Sequence, residues 1–181
     1  MNNNPLKTLQ KTADTCFKEK RFAEALAALR EYLHIISKEP PGNPTSKGRI
    51  LSNMGIVQVE TRQFRDAIEN FKAAICVFNA AADSLGEAQQ WGNIGSSHRD
   101  LAEYDEAVNY YRKALGLYEK IGHILGAADQ YTNIAYAYAM NKQLDEARKM
   151  YHQAADLYEE IKDEQKVAMT RKNLAALEKR T

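Results

Sequence analysis

Residues Trp91–Ala114 read WGNIGSSHRDLAEYDEAVNYYRKA, and five of their side chains recur at a fixed spacing of forty residues. The recurring residues are Asn93, Gly95, Ala107, Tyr111 and Ala114. The preceding copy has Asn53, Gly55, Ala67, Phe71 and Ala74, the following copy has Asn133, Ala135, Ala147, Tyr151 and Ala154, and Asn173 and Ala175 begin a further one. Because a period of roughly 20–50 residues is typical of solenoids and arrays, the spacing predicts a repeat architecture.

Apolar residues at helical spacing, interrupted by short polar turns, predict helices throughout this repeat. We expect them near residues 5–18, 22–37, 46–60, 64–82, 86–101, 104–121, 125–140, 144–161 and 164–179. Turns of about three residues within each pair favour antiparallel hairpins, and small residues such as Gly95 and Ala107 allow the paired helices to approach closely. The only Pro/Gly cluster, at residues 39–46, is predicted to be a linker.

The predicted fold is therefore all-α, with about four helix pairs in a single domain over residues 1–181. The repeats are expected at about 6–38, 46–82, 86–121 and 126–161, followed by a capping helix at 164–179. Lys172 and Lys179 give this last helix the polar face that a terminal repeat needs.

Charge and hydropathy exclude several classes of partner. Lysine plus arginine (25) nearly balance aspartate plus glutamate (24), so we expect no nucleic-acid partner. No stretch of about 18 apolar residues is present, and Met1–Thr8 lack an apolar leader core, so we expect no membrane partner and a cytoplasmic location. Cys16 and Cys76 lack a CxxC spacing and are interpreted as small buried hydrophobes.

Seven positions of each copy carry a resemblance to the tetratricopeptide repeat. In the central copy these are Trp91, Ile94, Gly95, Tyr104, Ala107, Tyr111 and Ala114, in the order large apolar, Leu-Gly-like, aromatic, Ala, aromatic, Ala. The first copy is degenerate, with Tyr32 where the family has a small residue. The forty-residue period resembles the subgroup of kinesin light chains and Leu-Gly-Asn-repeat polarity adaptors. The resemblance implies a right-handed α-α superhelical solenoid whose first helices line a concave groove.

A polar stripe on each first helix is the candidate binding surface. The four stripes are Arg49, Asn53, Ile56 and Glu60; Gln89, Asn93, Ser96 and Asp100; Asp129, Asn133, Tyr136 and Met140; and Met169, Asn173, Ala176 and Arg180. At about 100° per residue, each stripe lies opposite the face that carries the small core residues. The resemblance implies that these stripes face a ligand.

Asparagine is the polar residue present in all four stripes, and we call Asn53, Asn93, Asn133 and Asn173 the asparagine row. An amide offers both donors and an acceptor, which recognition of a peptide backbone requires. The candidate peptide-binding residues are Asn53, Asn93, Asn133, Asn173, Arg49, Ile56, Gln89, Ser96, Arg99, Tyr136 and Met140. The alternative is structural: each asparagine bonds the neighbouring hairpin and maintains the superhelical pitch.

Two further patterns bear on the ligand. Basic residues slightly exceed acidic ones along the stripes, with Lys7, Lys11 and Lys18 in the first repeat, which hints at an acidic peptide. Chaperone-binding members of the family hold a carboxylate with basic residues on these helices, but Lys172 is the only basic residue at the corresponding positions. A carboxylate clamp is therefore not expected.

Catalysis has little support in the sequence. The four histidines show no HExxH or other ligand spacing, and His98 falls among the predicted core positions. The segment 92–97 is glycine-rich but lacks a Gly-Lys-Ser/Thr sequence and lies inside a predicted helix. We therefore predict no catalytic residue, no metal site and no cofactor. The predicted function is a protein-interaction scaffold that binds a partner's peptide segment in the concave groove, and the competing hypothesis is a homo-oligomer assembled through solenoid ends or faces.

Overall fold

The computed structural model describes residues 5–38 and 44–179, which form nine α-helices and no strand. The helices are α1 (Pro5–Lys18), α2 (Phe22–Lys38), α3 (Ser46–Glu60), α4 (Phe64–Ala80), α5 (Ser84–Asp100), α6 (Tyr104–Lys120), α7 (Ile124–Met140), α8 (Leu144–Glu160) and α9 (Glu164–Glu178). The predicted all-α class is confirmed, and the predicted helix ends lie within two residues of the observed ones. Most of the predicted linker, at residues 39–43, and Arg180 of the last stripe lie outside the described residues.

Seven turns between helices in the described part of the chain share one local geometry, in which a single residue adopts a left-handed backbone conformation. In the turn from α5 to α6, Ala102 has φ 59°, and its N–H donates to the Arg99 carbonyl at 2.9 Å. The next N–H, of Glu103, donates to the His98 carbonyl at 2.9 Å. These two bonds define a Schellman motif, which satisfies carbonyls that the helix end leaves open. Gly122 is the glycine at such a position, with φ 68°.

Replacing Ala102 with glycine is expected to raise the free energy of unfolding by about 0.5–1 kcal/mol. A left-handed conformation is strained for alanine and unstrained for glycine, and this gain exceeds the entropy that glycine adds to the unfolded chain. Gly122→Ala is the reciprocal variant and should lower stability by a similar amount. Urea unfolding followed by circular dichroism measures both, and a stability change of the same sign in the two variants would contradict the explanation.

The helices divide into two compact units, Met1–Asp83 with α1–α4 and Ser84–Thr181 with α5–α9. The single domain over residues 1–181 stays a prediction. In the first unit, Cys16 packs with Ala25 and Leu29, and Phe78 packs with Leu51. Cys16 is buried as predicted, but the prediction for Cys76 is wrong because Cys76 lies on an exposed face of α4. A one-residue difference in helical phase separates Cys76 from its buried neighbour Ile75.

Small residues let large aromatic rings fill the centre of each hairpin in the second unit. The Tyr111 ring is fully buried against Gly95, where an added Cβ would lie 2.6 Å from Tyr111 Cδ1. Ala107 and Ala114 flank this ring position on α6 and have no exposed surface. These residues confirm the close helix approach expected from the sequence. The last helix, α9, packs against α8 and exposes Lys172 on its other side.

Candidate functional site

Three members of the asparagine row lie around one cavity in the second unit. Asn93 on α5, Asn133 on α7 and Asn173 on α9 are all half-buried and line a cavity of about 400 Å³. The helices repeat at forty residues, so the equivalent positions of α5, α7 and α9 face the same space. We call this space the amide cavity. Gln89 and Ser96, both candidate residues, also line it.

The remaining candidate residues lie elsewhere. Asn53 and Ile56 line a separate cavity of about 310 Å³ in the first unit, beside Phe17 on α1 and Val57 on α3. Arg49 is exposed on α3. The first unit therefore presents its own, more apolar surface.

Arg99, Tyr136 and Met140 are not among the residues that line the amide cavity. They lie near the C-terminal ends of α5 and α7, where Arg99 Cζ is 5.9 Å from the centroid of the Tyr136 ring. Tyr136 and Met140 expose 45% and 42% of their surfaces, which is high for large hydrophobic residues. This group offers contact area for a ligand side chain at the end of the two helices.

The members of the asparagine row differ in their hydrogen bonds. Asn93 Nδ2 donates to Gln90 Oε1 at 3.2 Å, within the same helix. Asn173 lies beside the Tyr151 hydroxyl of α8. The structural alternative expects bonds between neighbouring hairpins. The Asn93 bond stays inside α5, whereas the hydrogen bond of Asn173 with Tyr151 joins α9 to the preceding hairpin. Both interpretations of the row stay predictions.

An ion pair lies in the wall of the amide cavity. Lys166 Nζ contacts Asp129 Oδ1, and the Tyr158 hydroxyl donates to the same oxygen at 2.7 Å. Lys166 Nζ also lies 5.2 Å from the centroid of the Tyr158 ring, within the range of a cation–π contact. Burial of the Tyr158 hydroxyl, followed by its bond to Asp129, raises its pKa well above the usual tyrosine value. The protonated hydroxyl is therefore a fixed donor that holds the carboxylate in place.

Sequence reasoning missed several of these residues. Lys166, Tyr158, Thr132 and Gln130 line the amide cavity but were not among the candidates. The repeat itself contained a signal, because Lys166 stands at the forty-residue position of Gly126 and is the one long side chain there. Asp129 was part of a stripe, but its pairing with Lys166 leaves the lining without net formal charge. The weak hint of an acidic peptide therefore gains no support from this cavity.

The other chemistry-bearing residues have structural surroundings. His98 is 8% exposed, as its place among the predicted core positions implied, and its Nδ1 lies 2.6 Å from Glu103 Oε2. Within residues 5–38 and 44–179, no group of three or more His, Cys, Asp or Glu side chains is arranged to hold a metal ion. No helix in that part of the chain combines the length and apolar character needed to cross a membrane. The cytoplasmic location stays a prediction.

Comparison with known proteins gives family and fold matches. Two models of the tetratricopeptide repeat match residues 46–120 and 127–161, together more than half of the chain. Among curated protein sequences, none matches significantly. Similar solved structures include the apo form of RapI, with a TM-score of 0.87 and 16% identity over 97% of this chain and 48% of RapI.

Two other structures have the same fold. The Rap conjugation gene regulator of plasmid pLS20, in complex with the Phr* peptide, has a TM-score of 0.71 and 19% identity over 92% of this chain and 46% of its own. A kinesin light chain-like protein of Podospora anserina with nearly identical repeats has a TM-score of 0.70 and 14% identity, with 97% of each chain covered. This chain thus spans less than half of the two Rap proteins.

Proposed function

This chain belongs to the tetratricopeptide repeat family, and we propose that it is an interaction module that holds a peptide segment of a partner protein in the amide cavity. The observation that carries the proposal is the position of Asn93, Asn133 and Asn173 around a single cavity. A peptide backbone presents an N–H donor and a carbonyl acceptor at each residue, and a side-chain amide can bond either one. In this role the protein binds and positions its partner without catalysis.

The dimensions of the cavity suit an extended peptide. Its volume of about 400 Å³ lies within the range of roughly 300–1,000 Å³ that is typical of ligand sites. Neighbouring helices pack about 8–10 Å apart, and an extended peptide advances about 3.3 Å per residue. Each asparagine would therefore bond about every third residue of the ligand.

Backbone recognition alone gives weak binding. Each hydrogen bond contributes about 0.5–1.5 kcal/mol net, whereas a dissociation constant near 1 μM requires about 8 kcal/mol. The remainder must come from ligand side chains. Met169, which is 59% exposed and lines the cavity, and the exposed group of Arg99, Tyr136 and Met140 are the proposed contacts.

The first unit is proposed to hold a second peptide segment. Its cavity, lined by Asn53, Ile56 and Phe17, combines one backbone-reading amide with apolar walls. Arg49 is the candidate contact at the other end of α3. The Rap regulator bound to the Phr* peptide supports the general proposal, because it has the same fold and holds a peptide.

The competing function is self-assembly through exposed helix faces. Light scattering after size exclusion separates the two. The interaction-module proposal expects a monomer, whereas a stable oligomer that does not dissociate on dilution supports assembly.

Combined replacement of Asn93, Asn133 and Asn173 with alanine is expected to weaken peptide binding at least about ten-fold, since three hydrogen bonds are removed. The measurement is recovery of peptides from a degenerate library with capped ends, on immobilised wild-type and variant protein. Asn109→Ala, on an exposed position of α6, is the matched control and should recover as much peptide as the wild type. If the triple variant keeps its helicity and recovers as much peptide as the wild type, peptide binding in the amide cavity is ruled out. Unfolding of the variant would instead support the structural interpretation of the row.

A further inference from the structure

The amide cavity is lined by a glutamine whose carbonyl oxygen has no hydrogen-bond partner. Gln130 on α7 is only 6% exposed, and its Oε1 is shielded from solvent and unpaired. The amide packs against α5 at Gly92, where an added Cβ would lie 3.3 Å from Oε1. Buried acceptors without a donor are rare in native proteins, and each calls for an explanation. An acceptor of this kind at the edge of a polar cavity points to a donor supplied by a ligand.

The preceding hairpin contains the same residue with its bonds complete. Gln90, forty residues earlier, is 3% exposed; its Nε2 donates to the Gly86 carbonyl at 3.2 Å, and its Oε1 accepts from Asn93 at 3.2 Å. Asn133 occupies the position of Asn93 in α7 but does not bond Gln130 Oε1. Gln90 does not line the amide cavity. The unpaired oxygen is thus specific to the residue at the cavity and is not a general property of the repeat.

The charges around the cavity limit the ligand further. Asp129 and Lys166 are the charged residues of its lining, and they pair with each other. The other polar groups are amides and hydroxyls, such as those of Asn133, Thr132 and Tyr158. A charged ligand side chain would lose hydration here without meeting an unpaired opposite charge, which is unfavourable.

Resting on the peptide-binding function proposed above, we propose that the amide cavity selects an uncharged polar stretch of peptide, one N–H group of which donates to Gln130 Oε1. The donor is a backbone amide or the side-chain amide of an asparagine or glutamine. The terminal torsion of glutamine is broad and nearly two-fold, so rotation of the Gln130 amide presents its oxygen to the cavity.

The test uses three degenerate peptide pools with acetylated and amidated ends. The first pool contains only the uncharged residues Asn, Gln, Ser, Thr, Gly, Ala, Leu, Met and Tyr. The second pool adds Asp and Glu to these residues, and the third adds Lys and Arg to them instead. We expect immobilised protein to enrich peptides without charged residues from all three pools. The most enriched neutral peptide is then titrated by fluorescence anisotropy against the wild type, Gln130→Leu and Gln90→Leu.

Gln130→Leu is expected to weaken binding about ten-fold while its melting temperature equals or exceeds that of the wild type, because an unpaired acceptor is replaced by an apolar group of similar size. Gln90→Leu should behave in the opposite way, with a lower melting temperature and a smaller loss of affinity than Gln130→Leu, because it removes bonds inside α5 and touches the ligand only through Asn93. The reciprocal pattern distinguishes a ligand contact from a packing residue.

Each contrary outcome has a separate meaning. Unchanged affinity of Gln130→Leu overturns the role of Gln130. Enrichment of acidic or basic peptides that is lost in the Asn93/Asn133/Asn173→Ala variant overturns the selection for neutral peptides but leaves the peptide groove standing. Failure of all three pools to bind overturns both proposals.

Discussion

Raising the pH from about 10 to about 11 is expected to lower the free energy of unfolding, by about 1 kcal/mol through Tyr158 alone. Tyrosines with raised pKa values cause this effect, and four of them are at most 6% exposed: Tyr111, Tyr118, Tyr151 and Tyr158. Burial raises the pKa of each of these hydroxyls above the usual tyrosine value. Above about pH 10 the unfolded chain loses these protons while the folded chain retains them.

The sign follows from proton binding. Because the folded state binds more protons than the unfolded state above about pH 10, stability is complete below that pH and falls as the pH rises, by up to about 1.4 kcal/mol per tyrosine per pH unit. Total stabilities of proteins are about 5–15 kcal/mol, so a loss of this kind is a measurable share of the total. Tyr158→Phe removes one of these titrating hydroxyls. It should reduce the slope of the unfolding free energy against pH by up to about 1.4 kcal/mol per pH unit.

Urea unfolding between about pH 8 and pH 11, followed by circular dichroism, measures this slope. Tyr118→Phe is a second variant and should reduce the slope in the same direction, since burial is also the main cause of its raised pKa. A stability that is flat from about pH 9 to pH 11, or a Tyr158→Phe variant with the wild-type slope, would contradict the prediction.

Replacing Gly95 with leucine is expected to cost about 3 kcal/mol of stability, at the upper end of the range for overpacked cores. The first added carbon would already lie 2.6 Å from Tyr111 Cδ1 and 2.7 Å from Cε1. The Tyr111 ring has no exposed surface, so it cannot swing into solvent to relieve the clash. Leucine is the decisive substitution because Ala135 stands at the equivalent position against Tyr151, which indicates that a single methyl group can be accommodated.

Gly116→Leu on α6 is the matched control. This glycine is exposed, and a Cβ added there would meet nothing within 4 Å. Leucine has a higher helix propensity than glycine, so the control should gain up to about 0.8 kcal/mol. Both variants are compared by urea unfolding. Equal stabilities of Gly95→Leu and the wild type would mean that the helices of this hairpin are not held at the distance that glycine permits.

The helices and their packing were predictable because the same pattern of apolar and small residues occurs in several copies of the repeat. Asn93, Gly95 and Tyr111 each have counterparts at the forty-residue spacing. Several copies therefore support the same assignment of each position to a helix face. The close contact of Gly95 with Tyr111 follows from this pattern. Cys76 is exposed although its neighbour Ile75 is buried. The sequence pattern placed Cys76 in a helix but did not determine on which face of the helix it lies.

The candidate site was predicted less completely. Side chains on first helices were found, because their helical phase relates them to the core face. Tyr158 was missed because it reaches the amide cavity from the second helix α8. The repeat marks Lys166 as an unusual residue at its position, but its pairing with Asp129, thirty-seven residues away, is not visible in the sequence pattern.

The sequence by itself determined the hairpins, the small-to-large packing within them and the faces on which Asn93, Asn133 and Asn173 lie, because helical periodicity and a fixed repeat are local properties of the chain. Only the tertiary structure decided which of these asparagines share a cavity, that Asp129 and Lys166 neutralise each other in its wall, and that Gln130 is unpaired where Gln90 is satisfied. These features depend on the distances and side-chain conformations between helices, which a one-dimensional period does not specify.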